Sequence, residues 1–209
     1  ALLAALSSLC AGVGVDLVSG RISRVSPQGG GAFIELEDGR TINGDAAVVA
    51  LGAWSGSVLE TSAPLPSLRP VKGHILRLRS DRPLINRSVR ALVRGRAVYL
   101  VPRSDGELVV GATSEERGFD TTVQVGQVFA LLEDARLILP EVDELTLEEA
   151  SCGLRPGSSS NSPIVSTLPE GPVILATGHY RNGILLAPIT AELVMAALAG
   201  TSHPADGLL

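Results

Sequence analysis

The sequence predicts an α+β fold built mostly from antiparallel strands. Three observations point to it. The middle of the chain alternates apolar and polar residues with period two, in short runs separated by turn residues. On either side, a short apolar run ends in a glycine turn: DAAVVAL before Gly52 and VILAT before Gly178. That is the pattern of strands covered on both faces. Helical spacing is confined to residues 1–11, 123–139 and roughly 188–199.

Taken in order, residues 1–11 predict a helix that stops at Gly12, and Val13 to Val18 reads as a strand. Arg21–Val25 and Ala32–Glu37 alternate around Gly29-Gly30-Gly31 and predict a hairpin, with a second tight turn at Asp38-Gly39. Asp45–Leu51 is the first buried strand. The proline-rich PLPSLRP, residues 64–70, reads as a crossover between domains. Val71–Arg79, Ser88–Val93, Ala97–Pro102 and Glu107–Ala112 form an antiparallel meander, and a helix over Val123–Leu139 stops before Pro140. Leu145–Cys152 returns as a strand, residues 153–163 as a loop with a solvated serine run, and Val173–Ala176 as the second buried strand. Pro188 is placed in the first turn of the last helix, where its missing N–H costs nothing. The partition expected is 1–63 and 151–209 in one domain and 64–150 in another.

Composition bounds the function. With 209 residues and 45% hydrophobic content, the chain can bury a sizeable core. Seventeen basic against 22 acidic residues, a net of −5, argue against a nucleic-acid partner. Cys10 and Cys152 make neither a disulfide framework nor a metal site, and a reduced cytoplasmic setting is expected. The apolar first twenty residues lack a preceding positive segment, and Asp16 interrupts them short of a membrane-spanning length. No membrane partner is expected. The single methionine is Met195, so the chain is expected to be a piece of a longer protein.

Two arginines stand in unusual company. Arg181 sits in GHYRNGILLAPIT, residues 178–190, between a buried strand and a helix. Bare loop amides and a helix start suit a phosphate, carboxylate or carbonyl oxygen. A joint whose arginine caps something locally is equally compatible. Arg155 sits in GLRPG, residues 153–157, read as a glycine-framed turn. An arginine held this way can grip a carboxylate with two parallel hydrogen bonds, although a surface arginine beside a turn is the commoner case. Other motifs carry less. Gly12-Val13-Gly14 lacks the third glycine of a dinucleotide fingerprint, and the serine of GAWSG falls one place late for a nucleophile elbow. Glu148 and Glu149 point to opposite faces of a strand, and His74, His179 and His203 have no metal-ligand spacing.

GHYRNGILLAP (178–188), GLRPG (153–157) and VVALGAWSG (48–56) together closely resemble the D-amino-acid-oxidase-like flavoproteins. PVKGHILRL (70–78) and VYLVPRSDGELVVGAT (98–113) are similar to the glycine-oxidase branch of thiamine biosynthesis, in order and spacing. The resemblance covers nearly the whole chain. It implies that the flanking segments are the remainder of a Rossmann-like FAD-binding domain around a substrate-binding sheet domain. It implies non-covalent FAD and oxidation of a small, glycine-like amino-acid substrate to an imine, with hydrogen peroxide formed on reoxidation. In the thiamine branch the imine supplies the thiazole ring.

The resemblance also assigns residues. Arg155 corresponds to the carboxylate-gripping arginine, Tyr99 to the tyrosine that assists it, and Arg181 to a second arginine beside the flavin. Gly178, His179, Asn182, Gly183, Ile184 and Leu185 correspond to the loop over the flavin's pyrimidine end. Ile22, Gly52 and Trp54 match positions on the adenine and ribose side. A family methionine falls at Ser114 and a family histidine at Ala97, and Cys152 is one residue out of register with the cysteine that binds flavin covalently in sarcosine oxidases. The family's opening strand and G-x-G-x-x-G do not occur in this chain. The fragment is therefore expected to be inactive alone and to lack FAD. A sarcosine- or D-amino-acid-oxidising enzyme, and a catalytically dead ligand-binding module, are the rival readings. A homo-oligomer is compatible with the sheet edges.

Overall fold

The structure, a computed structural model, describes residues 2–205. Its elements alternate between three sheets and four helices among the described residues. Helix α1 (Leu2–Gly12) precedes β1 (Ile22–Gln28), β2 (Gly31–Leu36) and β3 (Thr41–Gly44), which form one antiparallel sheet in that order. The β1–β2 hairpin closes on Gly29 and Gly30, at φ 60° and 86°. Left-handed backbone at both central residues is what a tight hairpin needs, and glycine supplies it without strain.

Strand β4 (Ala47–Val49) leads through a 3₁₀ turn at Gly52–Trp54 into α2 (Ser55–Val58). The long β5 (Leu68–Arg79) is followed by β6 (Val89–Val93), β7 (Arg96–Pro102) and β8 (Glu107–Gly111). After α3 (Val125–Ile138) and a second 3₁₀ turn at Pro140–Glu144 comes β9 (Thr146–Ser158). These five strands form the central antiparallel sheet, in the order β6-β7-β8-β5-β9. Strands β10 (Ile164–Thr167) and β11 (Val173–Thr177) and helix α4 (Gly183–Leu198) complete the described chain.

The period-two pattern of the central sheet sorts its faces. Leu76, Leu78, Leu100, Leu108 and Val110 turn to one side and form a buried core with Leu131 and Ala135 of α3. Arg96 fixes α3 by gripping the buried Asp134 with two bonds, Nε to Oδ2 at 2.7 Å and Nη2 to Oδ1 at 2.5 Å. The alternate residues, Ile75, Arg77, Tyr99, Val101 and Val109, face away from α3 into a cavity. The second core joins Val25 and Ala32 of the first sheet to Ala47, Val49, Val173 and Leu175. There β11 lies between β10 and β4, parallel to β4, with Val173 opposite Ala47.

The structure corrects four local expectations. Val13–Val18 is irregular, with Val13 72% and Leu17 60% exposed. Its alternation has no neighbouring strand among the described residues to complete its hydrogen bonds. Strand β9 does not end at Cys152 but runs through GLRPG, so Arg155 stands on a strand opposite Val71 rather than in a turn. Pro156 is tolerated because β9 is an edge strand. The same extension buries Ser158, whose hydroxyl donates to Ser162 O at 2.7 Å. Finally, α4 starts at Gly183, which puts Pro188 inside the helix instead of in its first turn. Proline there leaves the carbonyl of Ile184 without its helical donor. The short strands β3 and β10 were not expected from the sequence.

Candidate active site

The cavity lies on the face of the central sheet opposite α3 and has a volume of about 790 Å³. Tyr99, Arg155, Arg181 and Asn182 all line it. They come from distant parts of the chain, and two glycines make their meeting possible. A side chain at Gly73 would collide with the guanidinium of Arg155. A side chain at Gly111 would collide with the phenol ring of Tyr99. Tyr99 therefore lies flat over β8 and Arg155 over β5, the two strands between β7 and β9. Glycine inside a strand often marks such a close approach, which is the signal that points to Gly73 and Gly111 as site residues.

Arg155 donates from Nη1 to Thr113 O at 3.1 Å and to Lys72 O at 3.4 Å, and has no acidic partner among the described residues. Burial, and then the positive charge of Arg181, hold its guanidinium below the ordinary range. A half-buried cation with only backbone acceptors is stabilised by an anionic ligand. Behind it, Lys72 is fully buried and pairs with Asp120 at 2.9 Å. The hydroxyl of Thr122, then Lys72, hold the Asp120 carboxyl far below its usual value. His74 is also fully buried. Its Nε2 accepts from Gln124 N–H at 3.3 Å, which leaves Nδ1–H to face Thr113 Oγ1 at 2.9 Å and Glu115 at 3.1 Å. This network fixes the segment whose carbonyl at Thr113 receives Arg155.

The 178–182 loop forms the facing wall. Gly178 has φ 78°, and a Cβ there would press on Ser162 O and Ile164. Tyr180, which the sequence reading passed over, has φ 49° and donates its N–H to Pro156 O at 2.9 Å, beside Arg155. Its hydroxyl lies 3.3 Å from Ser114 Oγ, and the guanidinium of Arg181 stands 5.2 Å from its ring centroid. The Ser114 contact is the first cause of a phenol held below its ordinary value. His179 Nε2 lies 2.8 Å from Thr190 Oγ1 on α4, tying the loop to the helix, and burial pushes its imidazole toward the neutral form.

The other expected cofactor residues fall in two groups. Gly183, Ile184 and Leu185 begin α4, directly after the loop. Gly52 lies beyond the carboxyl end of β4, and its carbonyl accepts from Thr177 Oγ1 at 2.8 Å at the end of β11. The two glycine turns are thus joined at the carboxyl ends of two parallel strands, the usual ligand side of such a sheet. Trp54 is 45% exposed, with its ring tilted against that of Phe119 at a centroid distance of 5.9 Å. Ile22 packs against the second core and does not line the arginine cavity. Cys152 donates from Sγ to Thr121 O at 2.9 Å. No cluster of metal-ligating side chains occurs among the described residues, and no helix among them is long and apolar enough to cross a membrane.

Residues 1–197 match the family described as FAD dependent oxidoreductase (DAO). A bifunctional ThiO/ThiG protein of Nostoc sp. is 35% identical over 181 residues, covering 77% of this chain and 27% of that protein. A glycine oxidase of Pseudomonas putida is 35% identical over 175 residues, covering 83% of this chain and 46% of that one. The crystal structure of glycine oxidase from Geobacillus kaustophilus superposes with a TM-score of 0.85 at 30% identity, covering 96% of this chain and 54% of that one. The chain thus spans about half, or less, of the length of these relatives.

Proposed function

The chain belongs to the DAO family of FAD-dependent oxidoreductases, and from that premise we propose that its parent protein oxidises glycine or a similar small amine to an imine. Two electrons and two protons leave the C–N unit and reduce oxygen to hydrogen peroxide. The observation that carries this reading is the convergence of Arg155, Tyr99 and Arg181 on one cavity over Gly73 and Gly111. The imine product is proposed to supply thiazole synthesis for thiamine, in the cytoplasm, in keeping with the names of relatives such as the ThiO/ThiG protein of Nostoc.

The residues fit FAD. Helix α4 starts without a side-chain cap, so its first N–H groups are open to an acceptor. Ile184 and Leu185 are 74% and 76% exposed beside it, an apolar surface suited to a flat ring. Arg181 has no acidic partner among the described residues and sits over Tyr180. When bound, FAD would take up the hydride from the carbon beside the amine. The protein's part is placement. Arg155 grips the substrate carboxylate, Tyr99 donates to it, and the backing network of Lys72 and His74 keeps Arg155 from retreating. Arg181 and the start of α4 supply positive potential where negative charge would collect. Residues 1–63 and 151–209 are assigned to FAD and 64–150 to the substrate, except that β9 continues through Ser158 in the central sheet and so carries Arg155 to the substrate side. The 209-residue chain by itself is proposed to be inactive and flavin-poor. A yellow preparation that keeps its flavin through gel filtration would overturn that.

The test is steady-state turnover of the full-length protein on glycine, sarcosine and D-alanine with peroxide detection. Glycine is expected to be the best of the three. Arg155→Leu is expected to raise KM by roughly a hundredfold or more, because a two-pronged charged contact is lost. An unchanged KM would mean that the carboxylate anchor lies elsewhere.

A further inference from the structure

The cavity is lined by five arginines, Arg77, Arg90, Arg103, Arg155 and Arg181, and by no aspartate or glutamate. Two of these charges are already answered. Arg77 pairs with Glu107 at 2.9 Å and Glu149 at 3.0 Å, and Arg103 reaches Glu107 at 3.8 Å. Arg90, Arg155 and Arg181 have no acidic partner among the described residues. The three unanswered guanidinium groups give the cavity a positive potential that favours an added negative charge on its ligand.

Arg90 has a defined place. On β6 it stands directly across from Tyr99 on β7, and both side chains line the cavity. Arg155 approaches Tyr99 from the other side, over Gly73. The tyrosine therefore stands between two unanswered guanidinium groups. The lining near it includes the small side chains of Ala97 and Ala112. A ligand whose first carboxylate sits on Arg155 and Tyr99 has open space leading past the phenol toward Arg90.

We propose that the preferred substrate is a small amino acid carrying a second carboxylate, with Arg155 gripping the first and Arg90 meeting the second. The assignment rests on the amine-oxidation reading and narrows its substrate class. It does not alter the reaction, since the second carboxylate takes no part in the bond changes. Arg90 is exposed, so its contribution is screened and falls as salt is added.

The experiment compares two N-substituted glycines of the same shape in the full-length enzyme. Iminodiacetate carries the second carboxylate, and N-isobutylglycine replaces it with an isopropyl group. The kcat/KM ratio of the first to the second is expected to be about five or more at low salt, the size of a modest exposed ion pair. It should contract toward one in Arg90→Gln and survive in Arg90→Lys. A readout free of turnover is calorimetric binding of oxydiacetate against methoxyacetate, with the same preference and the same loss in Arg90→Gln. If glycine is oxidised but the ratio is near one, or is untouched by Arg90→Gln, the second-carboxylate assignment is overturned alone. If none of the amines is oxidised while oxydiacetate still binds preferentially, the oxidase reading fails and the dianion site stands.

Discussion

Tyr99 and Arg155 stand on strands β7 and β9, with β8 and β5 between them, yet lean toward each other across Gly111 and Gly73. The phenol is close enough to act electrostatically on the guanidinium. Position on the sheet alone would keep them apart. The missing side chains at two glycines let them share a cavity.

Adding one methyl group should therefore damage binding without damaging the fold. Gly111→Ala forces the Tyr99 ring off β8, and Gly73→Ala displaces the Arg155 guanidinium. Each is expected to lower kcat/KM of the full-length enzyme by about 10²-fold, the cost of a misplacement near 1 Å. Circular dichroism should be unchanged, since neither glycine has a left-handed φ. Unaltered kinetics would show that the two side chains relax freely.

Tyr180 offers a ring beneath Arg181 and a hydroxyl to Ser114. Tyr180→Phe keeps the ring and is expected to change kcat/KM by less than about threefold. Tyr180→Leu removes the face and should cost about five- to tenfold, in line with a cation–π contact of 1 kcal/mol or slightly more. Equal losses in both variants would assign the role to the hydroxyl.

Glu170 supports the loop after α2. One carboxylate oxygen accepts from Thr61 Oγ1 at 2.7 Å, Ser62 Oγ at 2.8 Å and the backbone N–H groups of Ser62 and Ala63. Those bonds lower its carboxyl from 4.5 to about 2. The stabilisation is fully present above the ordinary value and is lost as pH falls from about 4.5 toward about 2. Glu170→Gln should lower Tm at pH 6 by a few degrees, and the two proteins should converge near pH 2. A Tm difference that persists at the acid end would assign the effect to packing.

Leu76 is fully buried between the central sheet and α3. Leu76→Ala is expected to cost roughly 2–5 kcal/mol in chemical denaturation, the range for a large-to-small change in a packed core. A loss under 1 kcal/mol would mean that α3 settles into the space.

The strands β5 to β8 were legible in the sequence because short runs rich in apolar residues are separated by turn residues, alternating clearly in the second half of β5 and in β6. So were β4 and β11 as apolar runs, although only β11 is buried throughout: Val48 in β4 is 42% exposed, so one face of that strand is open. Strand β3 escaped because TING has no apolar alternation and is held by pairing with β2 alone. Arg155 was legible as a residue but not as a strand position, since Gly153 and Pro156 read as turn formers until the edge pairing with β5 is known. Tyr180 escaped because the fold, through its N–H bond to Pro156 O and its left-handed backbone, sets the ring beneath Arg181, and neither is visible in the local sequence. Arg90 escaped because nothing local separates an arginine over a cavity from one in solvent.

The parallel pairing of β4 with β11 has a consequence for how the molecule is made. Ala47 leaves the ribosome long before Val173, its opposite number, has been synthesised. The hydrogen-bonding edge that β4 offers to β11 therefore waits through the making of the whole central sheet, which can close on itself in the meantime. Nascent chains halted before β11 emerges should be the ones that chaperones hold and proteases cut, with the cuts falling ahead of β5. Release of the last strand would then lock the early segment in a single late step.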